Sequence, residues 1–120
     1  MNIVKKRILK RRKTKIALPT HHGILIEEIK SIIHCQSDNT YTTFHFENQK
    51  KLIISKPLAD FEKILSGRNF FRIHKSHLIN LNFVIEYKRG KGGQVKMINN
   101  TIINVSPKHK EELIKLLNNL

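Results

Sequence analysis

Short apolar segments alternate with polar turn residues along this chain, and most of them follow the two-residue period of a β-strand. The clearest segment is Thr40 to Phe46, in which Thr42, Phe44 and Phe46 share one face. Further strands are predicted at residues 15–19, 23–26, 29–35, 51–55, 85–89, 94–98 and 101–105, with a strand, a loop and a second strand over 70–82. The pattern predicts a mainly β domain built from short antiparallel strands.

Two helices interrupt the predicted strands. Pro57 opens the first, because its fixed φ suits the first helical turn, and Ser66-Gly67 ends it. Its predicted apolar stripe consists of Leu58, Phe61, Ile64 and Leu65. Ser106 as N-cap and Pro107 as first residue predict the start of the C-terminal helix. Its predicted apolar face consists of Leu113, Ile114, Leu116, Leu117 and Leu120.

Positive charge is concentrated in two parts of the chain, whose formal net charge is +14. Residues 1–15 carry eight lysines and arginines and no acid, while residues 66–110 carry nine against Glu86 alone. So large an excess of positive charge is typical of proteins that bind a polyanion. We expect residues 1–14 to form a basic tail or linker and residues 15–120 to form one domain.

Several classes of protein are disfavoured by the sequence. It has no apolar run of the roughly 20 residues that span a membrane and no apolar core of a signal peptide, so we expect a cytoplasmic protein without membrane contact. Cys35 is the only cysteine, which leaves no intramolecular disulfide and no cysteine-based zinc site. We expect this thiol to be buried and inert.

The histidines raise two chemical alternatives. His74 and Ser76 could act as base and nucleophile, but no third orienting group or nucleophile elbow accompanies them. A metal could bind His74 with His77, or His21 with His22, but neither pair supplies the three or four ligands of a zinc site. We therefore expect no enzymatic activity, no metal and no cofactor.

The segment FFRIHKSHLINLN, residues 70–82, places basic residues between residues of the core. We expect its apolar members to anchor it and Arg72, Lys75 and His77 to project, with His74 and Ser76 bonding to phosphate or bracing the loop. Nucleic-acid binding needs cations and hydrogen-bond donors on a rigid scaffold. This segment has that composition.

Residues 71–80, FRIHKSHLIN, resemble the signature of the LytTR DNA-binding domain family. The flanks agree over about residues 15–120: Ile16 to Leu18 before an apolar strand, Tyr41 after a turn, the helix from Pro57, and Val105-Ser106 before a final helix. The resemblance implies an elongated domain of three small β-sheets whose loops enter successive major grooves. It also implies direct repeats in promoters, DNA bending and a homodimer on the DNA. Family members generally carry an upstream receiver domain of a two-component response regulator, for which this chain has no room, so we expect either an excised effector domain or a stand-alone regulator.

By position, the resemblance assigns DNA-contacting roles. Contacts to bases are expected from Asn39, Lys75 and Lys108. Contacts to the DNA backbone are expected from Tyr41, Arg72, His74, Ser76, His77, Lys88, Arg89 and Lys110. His77 stands where the family usually has Tyr or Phe, and Pro107 and Lys108 stand where an arginine commonly follows the serine. The alternative left open is a basic β protein associated with RNA or the ribosome, which explains the charge but not the signature.

Overall fold

The computed structural model describes residues 13–120, which fold into ten strands in three antiparallel sheets and two α-helices. The strands are β1 (Lys15–Thr20), β2 (Gly23–Glu28), β3 (Ile32–Asp38), β4 (Tyr41–Phe46), β5 (Lys51–Ile54), β6 (Phe70–His74), β7 (His77–Asn80), β8 (Val84–Lys88), β9 (Gln94–Met97) and β10 (Ile102–Asn104). The helices are α1 (Leu58–Leu65) and α2 (Pro107–Asn118). This arrangement confirms the predicted mainly β fold with one internal and one C-terminal helix. Residues 1–12 of the predicted basic tail lie outside the described residues.

A five-stranded sheet, in the order β5-β4-β3-β7-β6, forms the middle layer of the domain. On one face, a first core packs this sheet against the β1-β2 hairpin and α1, through residues such as Leu18 and Phe61. On the other face, a second core packs it against β8, β9, β10 and α2, through Met97 and Leu113. Because both cores draw residues from this sheet, four successive residues of β3, Ile32 to Cys35, are buried, whereas burial alternates along β4.

Three local predictions were wrong at particular residues. Ile29–Ser31 forms a short 3₁₀ turn before β3, which is closed by a hydrogen bond from the Ile32 N–H to the Ile29 carbonyl. Ile64 is 50% exposed, since six residues after Leu58 a helix has turned away from the stripe at i, i+3 and i+7. Leu120 lies beyond the end of α2 and is 69% exposed.

Candidate nucleic-acid interface

Two turns of the five-stranded sheet lie side by side at one edge. Strands β3 and β7 are antiparallel, with Gln36 opposite His77, so the end of β3 meets the start of β7. Beyond that pair, the Ser37 N–H donates to the Ser76 carbonyl at 2.8 Å. The turn between β3 and β4 is thereby held against the turn between β6 and β7.

Two further connections extend this edge. The Ser106 N–H donates to the Ile73 carbonyl at 2.8 Å, which fixes the start of α2 beside the end of β6. The neighbouring Val105 N–H donates to the Gly93 carbonyl at 3.2 Å, which places the connection between β8 and β9 beside the start of α2. We call this row of four connections the loop edge, comprising residues 38–41, 74–76, 88–93 and 106–108.

The first turn of the loop edge presents an amide and a phenol. Asp38 pairs with Tyr41 across the turn, and Asn39 adopts a left-handed backbone with φ of 57°. Asparagine tolerates this conformation better than most residues, which explains its place there. Asn39 and Tyr41 are both exposed, and Tyr41 is 48% exposed.

The second turn presents Lys75 and holds its neighbours inward. Lys75 is exposed, whereas Ser76 and His77 are half-buried. The Ser76 backbone N–H donates to Nδ1 of His74 at 3.1 Å, so this imidazole braces the turn. The Ser76 hydroxyl is not its partner, and the pair therefore lacks the geometry of a nucleophile with its general base.

Arg72 and His77 do not project as expected. The Arg72 guanidinium folds back over the turn and donates to the carbonyls of His74 and Lys75 and to a Glu62 carboxylate oxygen. The His77 ring leans on the His74 ring, with centroids 5.4 Å apart, and its Nδ1 atom is buried. The exposed cation of this turn is Lys75.

The start of α2 forms the third part of the loop edge. Ser106 has the extended backbone of an N-cap and Pro107 is the first helical residue, although the Ser106 side chain makes no capping hydrogen bond. His109 turns inward and packs edge-on against Phe71, with ring centroids 5.9 Å apart. Lys108 is exposed and Lys110 is half-buried. Amide groups at a helix N-terminus favour anions such as phosphate.

The fourth part is the glycine-rich connection that follows β8. Lys88 and Arg89 are exposed at its start. Gly93 has a φ of 81°, and a Cβ atom there would lie 2.4 Å from the Tyr87 hydroxyl oxygen. Glycine at this position therefore lets the connection pass close to the Tyr87 ring while Gly93 also accepts the bond from Val105.

Several histidines lie side by side across the sheet behind the loop edge, and two of them, His34 and His45, have no role predicted from the sequence. His34 and His45 are partners in β3 and β4, and their rings stack with centroids 4.1 Å apart. Burial, then the neighbouring His45 and His77, lowers the pKa of His34 to about 3. Burial lowers the pKa of His45 and His77 as well, with smaller contributions from Lys51 to His45 and from His74 and His45 to His77. The stack depends on the register between β3 and β4, so no signal in the sequence alone could have located it.

The predicted site residues are thus only partly assembled. Those exposed along the loop edge are Asn39, Tyr41, Lys75, Lys88, Arg89 and Lys108. Lys110 follows within the first turn of α2, and His74 and Ser76 belong to the second turn of the edge. Within residues 13–120, no group of three or more histidine, cysteine or acidic side chains could hold a metal ion. None of the helices in that range is long and apolar enough to cross a membrane.

Comparison with known proteins adds matches in sequence and in structure. Residues 22–118 match the family model of the LytTr DNA-binding domain. Two curated relatives, the heme-containing CO-sensing transcriptional regulators RcoM 1 and RcoM 2 of Paraburkholderia xenovorans (strain LB400), are each 30% identical over 76 residues. That alignment covers 63% of this chain and 28% of each relative, so the chain spans less than a third of the relatives' length.

A solved structure shares the fold. It is the LytTr DNA-binding domain of a protein described as a methyl-accepting/DNA response regulator from Bacillus cereus. The TM-score is 0.74 at 21% sequence identity, and the match covers 88% of this chain and 98% of that chain.

Proposed function

Because this chain belongs to the LytTr DNA-binding domain family, we propose that it binds double-stranded DNA sequence-specifically and serves a regulator of transcription. The loops of the loop edge enter successive major grooves, and the target is a pair of direct repeats in a promoter. Membership of the family supports DNA binding itself. The two curated relatives are named as transcriptional regulators, which supports the regulatory part of the proposal.

The observation that carries this proposal is the alignment of the four connections along one edge. Backbone hydrogen bonds of 2.8 Å, from Ser37 to Ser76 and from Ser106 to Ile73, fix three of them relative to one another. Sequence-specific binding requires that base-reading groups and phosphate-binding cations reach the DNA together. A row of loops bonded to one sheet meets this requirement without a recognition helix.

Roles within the loop edge follow from position and exposure. Asn39 and Lys75, at the tips of two adjacent turns, and Lys108, at the start of α2, reach base edges. An amide side chain can bond to adenine and an ammonium to the guanine acceptors. Contacts to phosphates and sugars come from Tyr41, His74, Ser76, Lys88, Arg89 and Lys110.

The proposal extends to the protein of which this domain is a part. Two copies bind adjacent repeats and the protein acts in the cytoplasm. The chain is either an effector domain excised from a regulator with an upstream receiver domain, or a stand-alone regulator. These features rest on the family resemblance of residues 71–80. We expect light scattering to show two copies on a duplex with two repeats and one copy on a duplex with a single repeat.

Selection of bound duplexes from a random pool identifies the target and tests the proposal. Binding should then be measured by fluorescence anisotropy on the selected duplex, a scrambled duplex and a structured RNA, over a series of salt concentrations. For about six phosphate contacts, the slope of log K against log salt should be roughly −5. Equal affinity for all three ligands would contradict the proposal, and preference for the RNA would support a basic RNA-associated protein instead.

A further inference from the structure

Three of the five N–H groups of the Arg72 guanidinium donate to acceptors of the protein itself. Its Nε donates to the His74 carbonyl at 2.9 Å, one terminal nitrogen donates to the Lys75 carbonyl at 2.5 Å, and the other reaches Oε1 of Glu62 at 2.5 Å. Its side chain is only 22% exposed. These bonds direct the guanidinium at the turn and at α1, whereas Arg89 on the same edge is exposed to solvent.

The local backbone explains why the turn needs such a donor. Arg72 pairs with Leu78 and His74 pairs with His77, so Ile73 is an extra residue in β6 and creates a bulge. A bulge interrupts the regular ladder of hydrogen bonds and re-aims the residues beside it. Here the Ile73 carbonyl accepts a hydrogen bond from the Ser106 N–H. The carbonyls of the next two residues, His74 and Lys75, both accept hydrogen bonds from the Arg72 guanidinium.

We propose that Arg72 is a positioning residue, which holds the Lys75 turn in its DNA-reading shape and ties it to α1 through Glu62, and that it makes no phosphate contact. This inference rests on the proposed function of the loop edge, and it replaces the phosphate role that the family resemblance implied for Arg72. Arginine is required because a planar fork of donors can serve three acceptors in fixed directions. The single ammonium of lysine cannot do so.

A lysine substitution separates the two roles, because it keeps the charge and removes the fork. Arg72→Lys should bind the selected duplex about tenfold more weakly or worse. It should also discriminate less well between the selected and scrambled duplexes. The matched control is Arg68→Lys, at an arginine outside the loop edge that bonds to the Lys13 carbonyl, and it should stay within about twofold of the parent protein.

A glutamine substitution tests the same distinction through salt dependence. Loss of one phosphate contact reduces the magnitude of the salt slope by about 0.9. Arg89→Gln should show this reduction, and it should weaken binding to both duplexes alike. Arg72→Gln should leave the slope unchanged and weaken binding mainly to the selected duplex. A slope reduced by about 0.9 for Arg72→Gln, with equal loss on both duplexes, would overturn the inference.

Amide hydrogen exchange in the DNA-free protein provides a second, independent readout. Arg72→Lys should accelerate exchange of the Ser76 amide by about tenfold or more, while amides of the buried Phe44 strand stay unchanged, since opening is then local. Glu62→Gln should accelerate the same amide to a smaller degree. Glu112→Gln, which removes an exposed carboxylate on α2, should not. Unchanged Ser76 exchange in Arg72→Lys would overturn the inference.

The two proposals fail in different ways. If the parent protein binds all duplexes equally, the sequence-specific function is refuted, yet the exchange of Ser76 still decides whether Arg72 holds the turn. If the parent protein is specific and Arg72→Lys is unaffected in both affinity and exchange, only the positioning role of Arg72 is refuted. Circular dichroism of each variant confirms that the affinities compare folded proteins.

Discussion

His34 and His45 stack across strands β3 and β4 with ring centroids 4.1 Å apart and ring planes 14° from parallel. His34 is 1% exposed, and neither of its ring nitrogens has a hydrogen-bond partner within the described residues. Burial and the adjacent imidazoles lower its pKa to about 3, so it is neutral when the protein is folded at neutral pH. Protonation would place a buried charge beside a second histidine.

This stack predicts that the domain loses stability in mild acid. The pKa of His34 in the folded protein lies below its value of 6.5 in the unfolded chain. The contribution of neutral His34 to the free energy of unfolding is therefore complete above pH 6.5 and is lost as the pH falls toward about 3. Between pH 7.5 and pH 5, the loss in the free energy of unfolding from His34 alone should be about 2 kcal/mol. Urea denaturation at a series of pH values measures it.

The matched variants are His34→Phe, which keeps a stacking ring without a titrating group, and His22→Ala at an exposed turn. His34→Phe should flatten the pH dependence between pH 7.5 and 5, while His22→Ala should leave it unchanged. The same pH dependence in His34→Phe as in the parent protein would show that His34 is not the source.

The thiol of Cys35 should be unreactive in the folded protein. It is fully buried in the first core, and burial raises its pKa above the ordinary range, so little thiolate forms and reagents cannot reach it. At pH 8, a thiol-specific chromogenic reagent should modify Cys35 only on the timescale of unfolding. Addition of urea should restore the rate of an exposed cysteine. Rapid modification without urea would contradict this prediction.

The strands were largely predictable because their periodicity reflects burial. Thr42, Phe44 and Phe46 in β4 are all buried, as their alternation predicted. The 3₁₀ turn at Ile29–Ser31 was not predictable, since its three residues include no Gly, Pro, Asn or Asp to mark a turn. Ile64 was misplaced because an apolar residue six positions along a helix was counted as part of the stripe.

The candidate site was predictable as a set of loops but not as a set of side-chain directions. The signature sequence located Lys75 at an exposed turn. It could not show that Arg72 folds inward, because that direction depends on a bulge and on Glu62, ten residues away in a different element. The stack of His34 on His45 depends on the register between β3 and β4, which the sequence does not state.

Gly93 should be harder to replace than Gly92, its neighbour in the β8-β9 connection. Gly93→Ala should reduce the free energy of unfolding by about 1 to 3 kcal/mol, because positive φ and an overpacked contact both disfavour alanine. The contact is with the Tyr87 hydroxyl, 2.4 Å from the added Cβ atom. Gly92→Ala is the matched control, since Gly92 also has positive φ but no atom lies within 4 Å of its Cβ position.

Removing the hydroxyl tests the mechanism of that loss. Gly93→Ala combined with Tyr87→Phe should recover part of the stability, because the closest atom is gone and a buried hydroxyl without a partner is removed with it. Thermal denaturation of the single and double variants gives the comparison. Equal losses for Gly92→Ala and Gly93→Ala would mean that the backbone conformation alone sets the effect.

Lys75 and Lys88 should separate base reading from phosphate binding on the loop edge. Both side chains are exposed, but Lys75 lies at the tip of the turn fixed by Ser37, while Lys88 lies at the start of the glycine-rich connection. Lys75→Ala should cost about 1 to 3 kcal/mol on the selected duplex and much less on a scrambled one. Lys88→Ala should weaken binding to both duplexes alike and reduce the magnitude of the salt slope by about 1.

Anisotropy titrations of both variants on both duplexes, at three salt concentrations, provide these four comparisons. A uniform loss with a reduced slope for Lys75→Ala would assign Lys75 to phosphate, and base reading in that turn would then fall to other groups.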